Sequence, residues 1–279
     1  MAYLDFSSVF PSFSHPAGFD APAAPAAPAQ RISRRALAAR ALRDHAAALP
    51  PAAPRAFTRR RSAQLSREAA AALWTEFSVI YIAMPLMLAF ALEPTAMWPM
   101  LIGSLLFALL ILHRMPGFTW KRRLFAPRPE DWGRVAIIGL GAAVLALPPI
   151  LAFWPERLLA MPLEAPKTWA LVLLVYPTVS VLPQEVIWRI LFFERYGALF
   201  PNQAVAALAN AGVFALAHLF YGNWPAVVFA GLGGFFFSIG YLKAGRRRAL
   251  VTVCAMHALA GLALFSLGLH EHFSNGMVR

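Results

Sequence analysis

Cysteine is almost missing from this chain: Cys254 is the only one in 279 residues. That excludes an internal disulfide framework, a four-cysteine iron–sulfur centre and a cysteine-rich structural zinc site. Charge is scarce too, at 14% of residues, where a soluble domain carries about a quarter. Acidic residues are the scarcer sign, 13 against 25 Lys and Arg. What fills the chain is apolar, 59% by count with a mean hydropathy of +0.59, so an ordinary cytosolic enzyme is not expected and the bilayer is the expected solvent. The formal charge of +12 would suggest nucleic acid if it formed a face. The cations instead fall in an N-terminal tail and in short loops between apolar runs. This predicts anionic lipid, and no nucleic acid, as the partner.

Residues 1–68 are rich in Ala, Pro and Arg and offer no continuous apolar face, which predicts a disordered basic tail. Within it, residues 31–49 can form a short basic amphipathic helix on a membrane surface, or serve as an Arg-rich targeting segment. Residues 69–279 read as an all-α, polytopic transmembrane helix bundle. Apolar runs long enough to cross about 30 Å of hydrocarbon fall at about 71–92, 95–113, 134–153, 168–193, 203–220, 224–242 and 249–269, seven spans in all. Trp74, Trp98, Trp132, Trp154, Trp169 and Trp224 lie near their ends, as interfacial anchors do.

Alternate loops differ in charge. One set holds Arg114, Lys121, Arg122, Arg123, Arg128, Arg134, Arg195, Lys243, Arg246, Arg247 and Arg248; the other holds Arg157 and Lys167. The tail adds ten arginines on the first side. The expected topology is N-terminus in the cytoplasm and C-terminus outside, in a multi-pass protein of the bacterial inner membrane. An eighth, re-entrant helix would reverse the second half of that statement.

Inside a bilayer the informative residues are the ionisable ones, each costing about 2.5–3.5 kcal/mol on insertion scales unless paired. The fourth span carries Gln184, Glu185 and Arg189, the fifth Asn210 and His218, the seventh His257. Glu185 and Arg189, four apart, share a helix face and can pair. An ion pair that only makes two charges tolerable is the plain reading. The turn near Pro201 and Asn202 lies about equally far from Glu185 and His218, however, which puts the two at similar depth on antiparallel neighbours. With His257 they predict one buried polar pocket. Pro183 should kink the fourth span just before the pair. Such a pocket suits water activation: a carboxylate removed from bulk water serves as general base, one imidazole positions the water and another donates to the developing oxyanion. A zinc alternative would take Glu185, His218 and His257 as three ligands. Cys254 and His257 share a face as soft ligands, although cysteine in a span usually acts as a small hydrophobe.

Order, spacing and placement of these residues resemble the CAAX-protease and bacteriocin-processing (CPBP, Abi) family of intramembrane endopeptidases. Its pattern is E-E-x-x-x-R on one span, F-x-x-x-H on the next and H-x-x-x-N or H-x-x-x-D on a later one. Gln184, Glu185 and Arg189 stand at the first motif, Phe214 and His218 at the second, His257 and Gly261 at the third, within about residues 170–265. The resemblance implies a peptidase acting on a membrane-anchored protein or peptide without a resident cofactor. Glu185 would be the base, His218 would position water, His257 would hold the oxyanion, Arg189 would orient the carboxylate and Gln184 would help to hold substrate or water. The chain departs from the pattern twice: Gln184 replaces the first glutamate, and Gly261 the final amide or acid. A non-catalytic member that binds a partner or confers immunity is therefore the alternative reading. A small transporter is a third, but no internal repeat supports it.

Overall fold

The computed structural model describes residues 66–120, 124–245 and 248–274. Among them every regular element is helical, with no strand. Seven helices are long and apolar enough to cross a membrane: α1 (Arg67–Phe90), α2 (Met97–Arg114), α3 (Pro129–Phe153), α4 (Pro166–Leu199), α5 (Gln203–Tyr221), α6 (Trp224–Ala244) and α7 (Ala249–Phe273). This is an integral, multi-pass all-α membrane protein. The turns between α3 and α4, Pro155–Arg157 and Ala160–Glu164, are too short to span, so no eighth crossing exists among the described residues. The expected basic helix over residues 31–49 and nearly all of the predicted tail lie outside the described residues. α1 begins at Arg67, within the last residues assigned to that tail.

Helix starts follow local chemistry that hydropathy does not register. Ser66, Asn202 and Asn223 each accept a backbone N–H from the first turn of α1, α5 and α6, at 3.1, 2.9 and 3.0 Å, satisfying donors that the helix itself leaves open. α3 starts at Pro129 rather than at the expected 134, because the fully buried Asp131 accepts the Arg128 backbone N–H at 3.0 Å and pairs with the Arg128 and Arg134 side chains. α4 runs past the expected 193 for a similar reason. Arg195 grips Glu76 of α1 through two bonds of 2.6 and 2.5 Å, and the Tyr196 hydroxyl donates to the same carboxylate at 2.6 Å. A polar helix end is thereby fastened to its neighbour.

α4 is not evenly wound. Residues 177–181 and 186–196 form wider turns, with backbone bonds one residue longer than in an α-helix, and only Leu182–Glu185 between them has ordinary pitch. Pro177 and Pro183 each remove a donor and crowd the carbonyl one turn earlier, a clash that wider winding relieves. The helix runs on through Pro183. Nothing in the local sequence explains the longer wide stretch.

α7 packs between α3 and α6, and α5 packs along α6. The α5–α6 approach depends on Gly234, whose missing Cβ would lie 3.1 Å from the Ala211 Cα. Asn210 joins three helices: its amide donates to the Trp188 carbonyl of α4 at 2.5 Å and its oxygen accepts from Ser238 of α6 at 2.8 Å. On the far side, Phe77, Tyr81, Trp188, Phe192 and Tyr196 form an aromatic cluster joining α1 to α4. Outward-pointing Phe90, Ile137, Leu140 and Leu174 are exposed, as residues facing lipid would be.

Candidate active site

The bundle holds a partly open cavity of about 650 Å³ with mostly apolar walls. Tyr176 and Gln184 of α4, His218 of α5, and His257 and Gly261 of α7 line it together. The sequence-predicted residues thus divide into two groups. Gln184, His218 and His257 face the cavity; Glu185 and Arg189 do not reach its wall and are fully buried behind it.

Glu185 is held from two sides. Its Oε1 lies 2.7 Å from His257 Nδ1, and its Oε2 lies 3.4 Å from Arg189 Nε. The expected Glu185–Arg189 pairing is present. Glu185 and His218, placed at similar depth by the sequence, do not bond to each other among the described residues: Glu185 bonds to His257, and His218 to the Phe214 carbonyl. Depth matched the first two, but direction around the α4 axis decides, and one ordinary turn points Gln184 to the cavity and Glu185 toward α7. The Arg189 guanidinium has no hydrogen-bond partner among the described residues. It lies 4.4 Å from the Phe214 ring and 5.5 Å from the Phe237 ring, so two aromatic faces and one carboxylate stand in for water around it.

His257 is locked by the same surroundings. Phe237 stacks on its ring at 4.9 Å, and Nδ1 is committed to Glu185. A carboxylate only accepts, so Nδ1 carries the proton and a neutral ring keeps a free lone pair at Nε2. His218 is arranged in parallel fashion. Its Nδ1 lies 2.8 Å from the Phe214 carbonyl, which also only accepts, and Nε2 is again left free. Gln184 donates through Nε2 to Ser180 Oγ at 2.9 Å, which frees its oxygen as an acceptor. The wall therefore combines two imidazoles with lone pairs available and an oriented amide.

The zinc set does not assemble. Both Glu185 oxygens are turned to His257 and Arg189, and no three His, Cys, Asp or Glu side chains are grouped for a metal among the described residues. Cys254 packs beside the aromatic cluster as a small apolar side chain.

Tyr176 and Ser180 went unread in the sequence. The signal was there: Tyr176, Ser180 and Gln184 recur at intervals of four, a polar stripe along an otherwise apolar span.

Residues 166–263, about a third of the chain and nearly the stretch of the resemblance, match a family model described as type II CAAX prenyl endopeptidase, Rce1-like. That stretch is similar to the CAAX-protease family. No curated protein and no solved structure matches the chain. The matched stretch begins at the first residue of α4 and ends within α7, so it contains every cavity-facing residue named above. At the level of the family it supports an intramembrane protease.

Proposed function

We propose that this chain is an intramembrane endopeptidase in which His257, backed by Glu185, takes the proton of the attacking water. The observation that carries the reading is the 2.7 Å contact between Glu185 Oε1 and His257 Nδ1 on the wall of a partly open, mainly apolar cavity. A buried carboxylate on Nδ1 fixes the tautomer that leaves Nε2 basic and stabilises the imidazolium formed on proton transfer, as in carboxylate-assisted hydrolases on unrelated folds. Glu185 thus acts through His257 rather than on water directly, and Gln184 needs no charge to hold the water. His218 Nε2 accepts the second hydrogen of that water.

In the reaction, the water oxygen forms a bond to the scissile carbonyl carbon while its proton passes to His257 Nε2 and the carbonyl π pair moves to oxygen. Collapse of the tetrahedral intermediate breaks the carbon–nitrogen bond, and His257 returns the proton to the leaving amine. Arg189, 3.4 Å from the other carboxylate oxygen, keeps Glu185 directed at His257. The substrate is a membrane-anchored protein or peptide, and the mostly apolar cavity suits a chain attached to a lipid. The matched family's name makes a prenylated C-terminal cysteine motif the first substrate to try.

The test compares new protein termini in membranes from cells with wild type, His257→Ala and Glu185→Gln. The expected result is a set of termini present only with wild type, lowered about 10³-fold or more in rate by Glu185→Gln, because the tautomer is no longer enforced. The same termini in all three strains would exclude the reading. A second reading, a non-catalytic partner-binding member, draws on Gln184 in the cavity wall where the family has an acid. It predicts function that survives both substitutions.

A further inference from the structure

The geometry points to the Tyr176 hydroxyl as the oxyanion donor of this site, a catalytic residue occupying the space that position 261 leaves empty; the inference rests on the hydrolytic reading above. Gly261 follows His257 by one turn of α7, so the wall beside the imidazole has no side chain of its own there. Tyr176 fills that space from α4. A Cβ at position 261 would collide with the Tyr176 hydroxyl and stand 2.7 Å from Cζ and 2.8 Å from Cε1. Tyr176 and Gly261 are thus one feature, since any side chain at 261 would displace the phenol.

The hydroxyl is otherwise idle: among the described residues Tyr176 makes ring contacts and no hydrogen bond. Its ring stands edge-on to His257, with centroids 6.1 Å apart and planes at 83°, and edge-on to Phe265 at 4.9 Å. Packing therefore holds the ring while its O–H faces the cavity, half-buried and unused. Next to it, His257 Nε2 is a proton acceptor, and hydrolysis there requires a donor on the same stretch of wall. When water held at His257 adds to a carbonyl carbon, the negative charge appears on an oxygen one bond away, and the phenolic O–H can donate to it. Because the ring is already fixed, little reorganisation is needed as that charge develops.

The test uses full-length protein in phosphatidylethanolamine–phosphatidylglycerol vesicles and an internally quenched, farnesylated peptide. Tyr176→Phe removes one oxygen that has no partner, so folding should be unchanged. We expect kcat to fall about 10²–10³-fold, the cost of one lost oxyanion donor, with KM within twofold of wild type and no turnover by His257→Ala. An unchanged kcat in Tyr176→Phe beside an inactive His257→Ala overturns the role of Tyr176 and leaves the proposed function standing. Equal, absent turnover in wild type and His257→Ala overturns the proposed function and the role together. A measurement without substrate checks the placement itself. Gly261→Ala should lower the melting temperature in detergent by about 3–10 °C through overpacking, and should cost nothing further when added to Tyr176→Ala. Equal melting of Gly261→Ala and wild type means that the hydroxyl does not occupy that space.

Discussion

Arg189 has an unusual environment for a guanidinium: full burial, no hydrogen-bond partner among the described residues, one carboxylate oxygen at 3.4 Å and two aromatic faces. Its value lies in what it does to Glu185. Removing one member of a buried ion pair leaves the other charge uncompensated, at about 3–5 kcal/mol. Arg189→Met should therefore lower melting in detergent and also abolish processing, since Glu185 then loses the partner that holds its second oxygen and directs it at His257. Arg189→Lys should recover little, because a compact ammonium cannot lie flat between the Phe214 and Phe237 rings. Thermal melting and termini profiling of the two variants check this; a Lys variant equal to wild type would show that charge alone matters. The residues of this cluster were legible in the sequence, since four-residue spacing gives the Glu185–Arg189 contact directly. The partner of Glu185 was not. Depth along two helices follows from counting residues, whereas rotation about the helix axis depends on side-chain packing that no single span contains. Tyr176 was missed for a related reason: an aromatic residue in an apolar span reads as packing until a second helix brings a gap, here Gly261, against its hydroxyl.

At the scale of the element, α4 determines the site. Its ordinary turn, Leu182–Glu185, sits between two wide-wound stretches and divides two adjacent polar residues between cavity and core. Gln184→Glu follows from that division. A carboxylate at 184 faces the cavity, while Glu185 is already held by His257 and Arg189, so the two acids do not compete for the same partners and the new one stands where water is held. Adjacent like charges in a dry site still interact unfavourably. The expected outcome is processing kept or increased, with an altered pH profile, measured as cleavage rate against pH for both forms. Identical profiles would show that position 184 lies outside the reacting volume, and activity appearing only in the variant would favour the non-catalytic reading. The span boundaries taught the same lesson in reverse. Hydropathy located all seven crossings but stopped short at the polar ends of α3 and α4, where Asp131 and Arg195 continue the helix through contacts with neighbouring side chains.

For the whole molecule, orientation and the direction of the cavity are linked. Arg114 ends α2, Arg195 lies near the end of α4 and Lys243 near the end of α6, so these cations collect at one end of the bundle; Glu76 of α1 meets Arg195 there. The positive-inside rule predicts that this end faces the cytoplasm. Reporters fused after Arg248 and after Arg279 should then report cytoplasm and exterior respectively, and a cytoplasmic C-terminus would refute seven crossings with an inside N-terminus. The cavity extends the other way. Its lining includes Leu88 near the end of α1, Met97 and Trp98 at the start of α2, and His270 near the end of α7, all at the end opposite the cations. Under this topology the His257 imidazole is approached from the outer half of the bilayer. The decisive measurement replaces the native thiol by Cys254→Ala and introduces Met97→Cys. A membrane-impermeant maleimide added to intact cells should label that variant, and a substrate peptide reconstituted in vesicles should slow the labelling by occupying the cavity. Labelling only after the membrane is broken would place the mouth on the cytoplasmic side and require the charge-based orientation to be reversed.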